Sequence, residues 1–579
     1  MWKDKYFHLL WLIPLIVYCN SFFNPFIWDD EQFIYNNVFV QTFNVEKIFT
    51  TNTIAGASEL SNYYRPLTTL SFAWDYVFWG VHVFGFHLSS TLVHLAAGIL
   101  LYYLLQQLYF SKKISFWISL LFLIHPIQTE AVTYINSRGD SLYSFFGLGS
   151  LLCLILLFKN TSVHFSIYNL KISMHSWVFA LAAPILYVAS ILSKEIGIAV
   201  LGLHGLILAY LYLNSKKKNI FTFIKSNYLL LGVFCANAVL AGVYLFLRAT
   251  SLNFNNSFDF YNDQSLYSES ILVRLLTFAK IIFIYLRILI APFPLHMERT
   301  TAVLSSPVNP WLPLFILLSG SLIFLAIKEY KLKHTAYIFF GLGWFSIMLL
   351  PVSGIIAING LLYEHWLYLP LVGFFITLYG ILKLFLNKKT FGYLPKLLLS
   401  IAIIYSLLTI RQNYLWGDRV RFYTYLLEHT SSARIHNNLA MALAENQQYD
   451  EAIKEYLLAL DYGIPYPNIY HNLGNTYAEQ KKFKEAESAY LKAIELDPYF
   501  FYSYNNLINL YSLQKKYDNA LEIADRAEKK FSAVKYALMQ LELLKLNQNK
   551  LQFEQKKNAF ITQYNSDEAA VKALTKAAY

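Results

Sequence analysis

The sequence predicts an all-α protein in two parts, a polytopic helical membrane domain and a C-terminal α-solenoid. Three observations carry this. Only 14% of the 579 residues are charged, against about 25% in soluble domains. Twelve apolar runs are long enough for a bilayer span, which takes ~17–25 residues. After residue 432 a pattern of small and aromatic residues recurs every 34 positions.

This composition, with mean hydropathy +0.39, excludes a single soluble domain, a disordered chain and a collagen-like one. The net charge is +11. From Ser431 onward 18 bases balance 18 acids, whereas the first 430 residues hold 29 bases and 18 acids. The excess therefore sits on the apolar part, as the positive-inside rule requires, and does not point to nucleic acid. Cys19, Cys153 and Cys235 lie in apolar runs without metal or CxxC spacing and are expected to be buried thiols.

The apolar runs fall near 7–24, 84–108, 115–134, 141–158, 176–193, 195–214, 227–248, 271–292, 310–328, 335–351, 365–386 and 396–412. The first follows Lys3 and Lys5 and lacks a small-residue cleavage site, so it reads as a signal anchor. Lys3/Lys5, Lys112/Lys113, Lys216–Lys218, Lys328/Lys331/Lys333 and Lys388/Lys389 should face the cytoplasm. Three runs separate the Lys216 and Lys328 clusters, so one of them cannot span. The run 271–292 carries Arg274, Lys280 and Arg287 and is read as interfacial or re-entrant. About eleven spans remain, with the N-terminus inside and the tail outside. Of the 18 acids in the membrane part, 16 then face outward, all but Asp4 and Glu329.

In the tail, Leu439, Ala440, Leu443, Ala452, Tyr456 and Ala459 recur as Leu473, Gly474, Tyr477, Ala486, Tyr490 and Ala493, then as Leu507, Ile508, Tyr511, Ala520, Ala524 and Ala527. This is the tetratricopeptide (TPR) pattern, in which small residues let paired helices pack closely. The expected organisation is a membrane domain over 1–412, a connector over 413–432, three repeats over 433–534, and a degenerate repeat with a capping helix over 535–579.

Candidate chemistry gathers in the outward loops. The long loop 25–83 opens with Asp29, Asp30 and Glu31. Adjacent carboxylates suit a general base, with a divalent cation (Mg or Mn) optional on Asp29 or Asp30; a solvated loop start or a helix cap is the plain alternative. Arg65 could grip a phosphate bidentately or neutralise the acids. His87 and His94 share a helix face and suit an intrabundle hydrogen bond better than a metal site. His125 and Glu130 lie in a dense polar loop with Arg138 and Asp140, which could instead pair with each other. Lys194 is on the wrong side for the positive-inside rule, so a lipid phosphate or an ion pair with Glu195 must explain it. Glu298 (next to Arg299), Glu364 and His365 complete the outward set. Charges from such distant positions suit one shared outer cavity. No soluble nucleotide or hydrolase motif occurs in a credible context.

Several stretches come in a familiar order: Trp28-Asp29-Asp30, Tyr64-Arg65-Pro66-Leu67-Thr68, Gly85 to His94, His125-Pro126-Ile127-Gln128-Thr129-Glu130-Ala131-Val132, Arg138-Gly139-Asp140, Ser193-Lys194-Glu195 and Glu364 to Pro370. In these the chain resembles the transmembrane and tetratricopeptide-repeat protein O-mannosyltransferases, within the GT-C glycosyltransferase superfamily. The short array and the Asn-, Lys- and Ile-rich composition suit a bacterial relative, whose donor would be an undecaprenyl-phosphate sugar. The resemblance implies a multi-pass membrane enzyme that moves a sugar, mannose first, from a polyprenyl phosphate to an acceptor hydroxyl with inversion. Asp29 would be the base and Asp30 its neighbour orienting acceptor or metal. Arg65, Arg138 and Lys194 would stabilise the departing phosphate. The TPRs would engage the acceptor, a Ser or Thr of an exported protein, on the outer side. A lipid or polysaccharide acceptor is the alternative within that class. A non-catalytic TPR scaffold is the rival from another class, and a transporter fits poorly because the acids lie at helix ends.

Overall fold

The computed structural model describes the chain apart from residues 1–3, 58–60, 160–162, 168–169, 175, 216–218, 255–266, 268–269, 357–359, 463–465, 532–533, 565–573 and 575–579. Lys3 and the Lys216–Lys218 cluster, used above to orient the chain, lie outside the described residues. The chain divides into compact units Met1–Asp418 and Arg419–Tyr579.

Every apolar run folds as a helix, because a chain segment without water to satisfy its amides must bond them internally. Six helices are long and apolar enough to cross a membrane: Val83–Gln107, Ile135–Phe158, Glu195–Leu213, Tyr228–Ala249, Trp311–Lys333 and Lys389–Trp416. A seventh is counted if Lys112–Ile124 and Pro126–Val132, bent by 50° at His125, form one span. Pro126 causes that break, since its ring removes the amide a continuous helix would use. The remaining runs give the shorter helices Lys5–Tyr18, Tyr337–Leu349 and Pro370–Phe385, and a Ser176–Ser193 helix. An antiparallel hairpin, Val163–Ile167 with Leu170–Met174, joins two of the helices. Cys19 and Cys235 are exposed on apolar segments rather than buried, and Cys153 is half-buried.

The run 271–292 is one unbroken helix, Ile271–Ile290, with no re-entrant bend. Its cations are met by carbonyl oxygens. Arg274 donates to Gly354 (2.6 Å) and Tyr267 (3.3 Å), Lys280 to Ala302 (3.3 Å), and Arg287 to Phe293 (3.3 Å).

The second unit is a stack of helix pairs: Ala433–Glu445 with Tyr449–Asp461, Pro467–Glu479 with Phe483–Leu496, and Phe501–Leu513 with Tyr517–Phe531. A fourth pair, Val534–Leu546 and Lys550–Tyr564, follows. The turn within each pair carries a left-handed residue, Gln447, Lys481, Lys515 and Gln548. Close packing needs the small positions. A Cβ on Gly474 would sit 2.7 Å from the Tyr490 ring.

Candidate active site

The loop after the first helix presents two carboxylates in opposite ways. Trp28 adopts φ 60°, a conformation that is strained for a bulky residue. The turn leaves Asp29 exposed and buries Asp30. Both Asp30 oxygens accept backbone amides: Oδ2 from Ile27 (3.0 Å) and Oδ1 from Asn136 (2.8 Å), so Asp30 ties the loop after the first helix to the start of the Arg138 helix. The Asp29 amide donates to the Tyr134 hydroxyl at 3.2 Å. Tyr134 stacks on Trp416, and burial with the nearby Asp29 and Asp30 charges pushes its pKa well up, so the phenol stays protonated.

The same unit holds a set of buried and half-buried charged contacts, each joining residues far apart in sequence. Arg65 meets Glu195 at 2.9 Å and lies over the Tyr63 ring, while Glu195 also accepts the Tyr64 amide. Lys194 meets Asp140 at 2.7 Å. Arg299 meets Glu364, which also accepts the His296 amide. His365 contacts Glu130 through its backbone amide and through Nδ1 at 2.7 Å. Burial drops the His365 pKa to about 3, so this is a hydrogen bond from a neutral imidazole. Burial raises Glu364 to about 7, with Glu130 adding to the rise and Arg299 opposing it. These pairs feel one another: His365 senses Lys194, Asp140 and Arg65, and Glu130 senses Lys194 and Arg299. These charges, distant in sequence, therefore lie within electrostatic reach of one another. Glu298 joins at the edge, its carbonyl on His296 Nδ1 at 2.7 Å.

Several residues take partners other than those expected. The clip between Arg138 and Asp140 does not form, nor does a Lys194–Glu195 pair. Arg138 is fully buried, 2.6 Å from Asp75, and donates to Ser90, Ser71 and the Phe86 carbonyl between two phenylalanine rings. Its donors are thus committed to the fold rather than turned to a ligand. His125 is a cap: Nδ1 accepts the Ile127 amide and Nε2 contacts the Leu289 carbonyl. His94 bridges Tyr368 and the Leu123 carbonyl, a satisfied core histidine. His87 contacts the Asn24 carbonyl at 3.0 Å. Glu31 is half-buried in the short helix Glu31–Tyr35.

Tetratricopeptide repeat patterns match residues 423–468 and 467–500. Over 486 residues the chain is 25% identical to the protein O-mannosyl-transferase TMTC4 of Mus musculus, covering 77% of this chain and 64% of that protein. Over 468 residues it is 27% identical to a protein O-mannosyl-transferase of Caenorhabditis elegans, covering 78% and 62%. Over about three quarters of its length the chain is thus similar to protein O-mannosyl-transferases. It spans somewhat less than two thirds of the length of these relatives. Among solved structures, ArnT of Cupriavidus metallidurans bound to undecaprenyl phosphate is similar with TM-score 0.41 and 14% identity, covering 90% of this chain and 79% of that one.

Among the described residues no three His, Cys, Asp or Glu side chains converge to hold a metal. Tyr134, Asn136 and Asp75 were invisible as site residues in the sequence. One tyrosine among 45 carries no signal, and Asp75 sits within an apolar helix, Pro66–Trp79, where its partner is decided only by packing.

Proposed function

We propose that the protein is an inverting GT-C-type membrane glycosyltransferase. It moves one sugar, mannose as the first assignment, from a polyprenyl phosphate to the hydroxyl of a serine or threonine in an exported protein. The observation that carries this reading is the exposed Asp29, held on a strained turn by a buried Asp30 anchor. The names of the mouse and worm relatives support mannose and a protein acceptor.

The chemistry follows from that placement. Asp29 takes the proton of the acceptor hydroxyl, whose oxygen attacks the anomeric carbon opposite the phosphate. The bond from that carbon to the phosphate oxygen breaks and its electron pair leaves on the polyprenyl phosphate. Asp30 keeps the Asp29 backbone in place, and Arg65 and Lys194 supply positive charge beside the departing phosphate. Their partners Glu195 and Asp140 hold them in position. In the repeats, Asn472 donates to Asn437 and Asn506 to Asn475, so amide side chains from successive repeats form one row. Such groups both donate and accept and would grip an extended acceptor backbone.

The test is mass spectrometry of exported proteins and lipids from cells carrying either the wild type or Asp29→Asn. A hexose missing from exported proteins in the variant supports the reading. A hexose missing from lipid alone moves the acceptor to a lipid. No difference, with the variant folded, leaves the scaffold reading.

A further inference from the structure

We propose that Arg248 and the Tyr244 hydroxyl, next to Arg65, bind the phosphate of the lipid-linked donor, an inference that rests on the glycosyltransferase reading above. Both residues belong to the Tyr228–Ala249 helix, four positions apart and so on one face. Neither stands out in the sequence, where Arg248 reads as an interfacial cation at a helix C-terminus.

In the structure Arg248 is tied to the catalytic loop. It donates to the carbonyl (2.6 Å) and side-chain oxygen (3.1 Å) of Asn62 and to the Leu252 carbonyl. Asn62 begins the segment Asn62-Tyr63-Tyr64-Arg65, whose other end pairs with Glu195. All of these Arg248 partners are neutral. Arg65, Arg138, Lys194 and Arg299, by contrast, each meet a carboxylate. Among the described residues Arg248 thus meets no carboxylate, and Tyr244 lies within electrostatic reach of Arg65, Arg248 and Glu195.

Tyr244 supplies a second, independent mark of a ligand. It is only 9% exposed, and its hydroxyl is buried with no hydrogen-bond partner among the described residues, although it lies within electrostatic reach of Glu195, Arg248 and Arg65. A buried polar atom left unpaired in a native fold calls for an explanation, and a ligand oxygen provides one.

The occupant follows from charge and location. A sugar phosphodiester carries one negative charge, which Arg248 would meet, and gains a second as the sugar leaves. A cation placed there stabilises the transition state more than the ground state. The same helix exposes Val239, Val243, Leu245 and Phe246. The prenyl chain could remain in the bilayer along this surface while its phosphate reaches Arg248.

The full-length protein in nanodiscs is titrated with undecaprenyl phosphate and, separately, with inorganic phosphate, as wild type, Arg248→Ala, Arg248→Lys and Tyr244→Phe. Arg248→Ala should weaken undecaprenyl phosphate binding about tenfold or more, the size of one charge-assisted hydrogen bond, and Tyr244→Phe about fivefold. Arg248→Lys should recover part of the loss. In transfer assays the donor KM should rise and the acceptor KM should not. Equal binding by the wild type and Arg248→Ala, with both folded by their melting temperatures, overturns the proposal. So does an Arg248 dependence seen with inorganic phosphate alone. A wild type that binds no undecaprenyl phosphate overturns the donor class itself and this inference with it. Loss on Tyr244→Phe alone, with Arg248→Ala and Arg248→Lys unaffected, rejects Arg248 as the phosphate ligand.

Discussion

Asp30 Oδ1 accepts the Asn136 amide at 2.8 Å, across 106 positions of sequence. Its neighbour Asp29 is exposed, so adjacent carboxylates divide into a buried anchor and an exposed group, the base of the proposed mechanism. Asp29→Asn should therefore abolish transfer while leaving the melting temperature unchanged. Asp30→Ala should lower stability, because two backbone amides lose their acceptor at about 1–3 kcal/mol for each one left buried. Thermal unfolding beside a transfer assay separates the two. A normal rate for Asp29→Asn would falsify the mechanism.

Arg138 should behave as a structural residue. Removing it strands Asp75 in the interior, and breaking a buried pair costs about 3–5 kcal/mol. Arg138→Ala should reduce the yield of folded protein. Arg138→Lys should also be poor, because a lysine cannot reach Asp75, Ser90, Ser71 and the Phe86 carbonyl together. Size-exclusion profiles and melting temperatures check this. A well-folded Arg138→Ala with weakened donor binding would return Arg138 to the list of phosphate ligands.

Glu364 gives a pH dependence with a definite sign. Its carboxyl is raised from 4.5 to about 7 by burial first, with Glu130 adding and Arg299 opposing. The folded state thus holds its proton more tightly than the unfolded state, so its contribution to stability is present below the unfolded value and lost as pH rises through about 7. The melting temperature should carry a downward contribution between pH 4.5 and 7. Glu364→Gln should flatten that slope whatever it does to the absolute value. An unchanged slope in the variant would show that other groups set the profile.

The repeats offer a packing test. Gly474→Ala places a methyl 2.7 Å from the Tyr490 ring, which must shift. Overpacking of this kind costs about 1–3 kcal/mol. Limited proteolysis of the full chain should then cut the tail faster than in the wild type, and equal cutting rates would show that the Tyr490 ring moves freely.

Much of the architecture was legible because it depends on local chemistry. An apolar run must be helical in a bilayer wherever its partners lie, so all twelve runs appear as helices. The repeat positions from Leu439 to Ala527 follow a fixed period, and Gly474 shows the contact that period serves. Pro126 marked the break in its helix through its missing amide. The run 271–292 was harder to read, because its three cations are met by carbonyls from Gly354, Tyr267, Ala302 and Phe293, none identifiable by spacing.

The site divides along the same line. The sequence alone indicated that the charges of the apolar part would gather in loops and at helix ends, since charges are costly in hydrocarbon. Tertiary structure alone decided who pairs with whom. Arg138 went to Asp75 rather than Asp140, Lys194 to Asp140 rather than Glu195, and Glu195 to Arg65. A buried charge takes the partner that packing brings within about 3 Å, and chain distance has no part in that choice. The same rule left Arg248 with neutral oxygens and, among the described residues, the Tyr244 hydroxyl with no hydrogen-bond partner, a difference no spacing in the sequence could reveal.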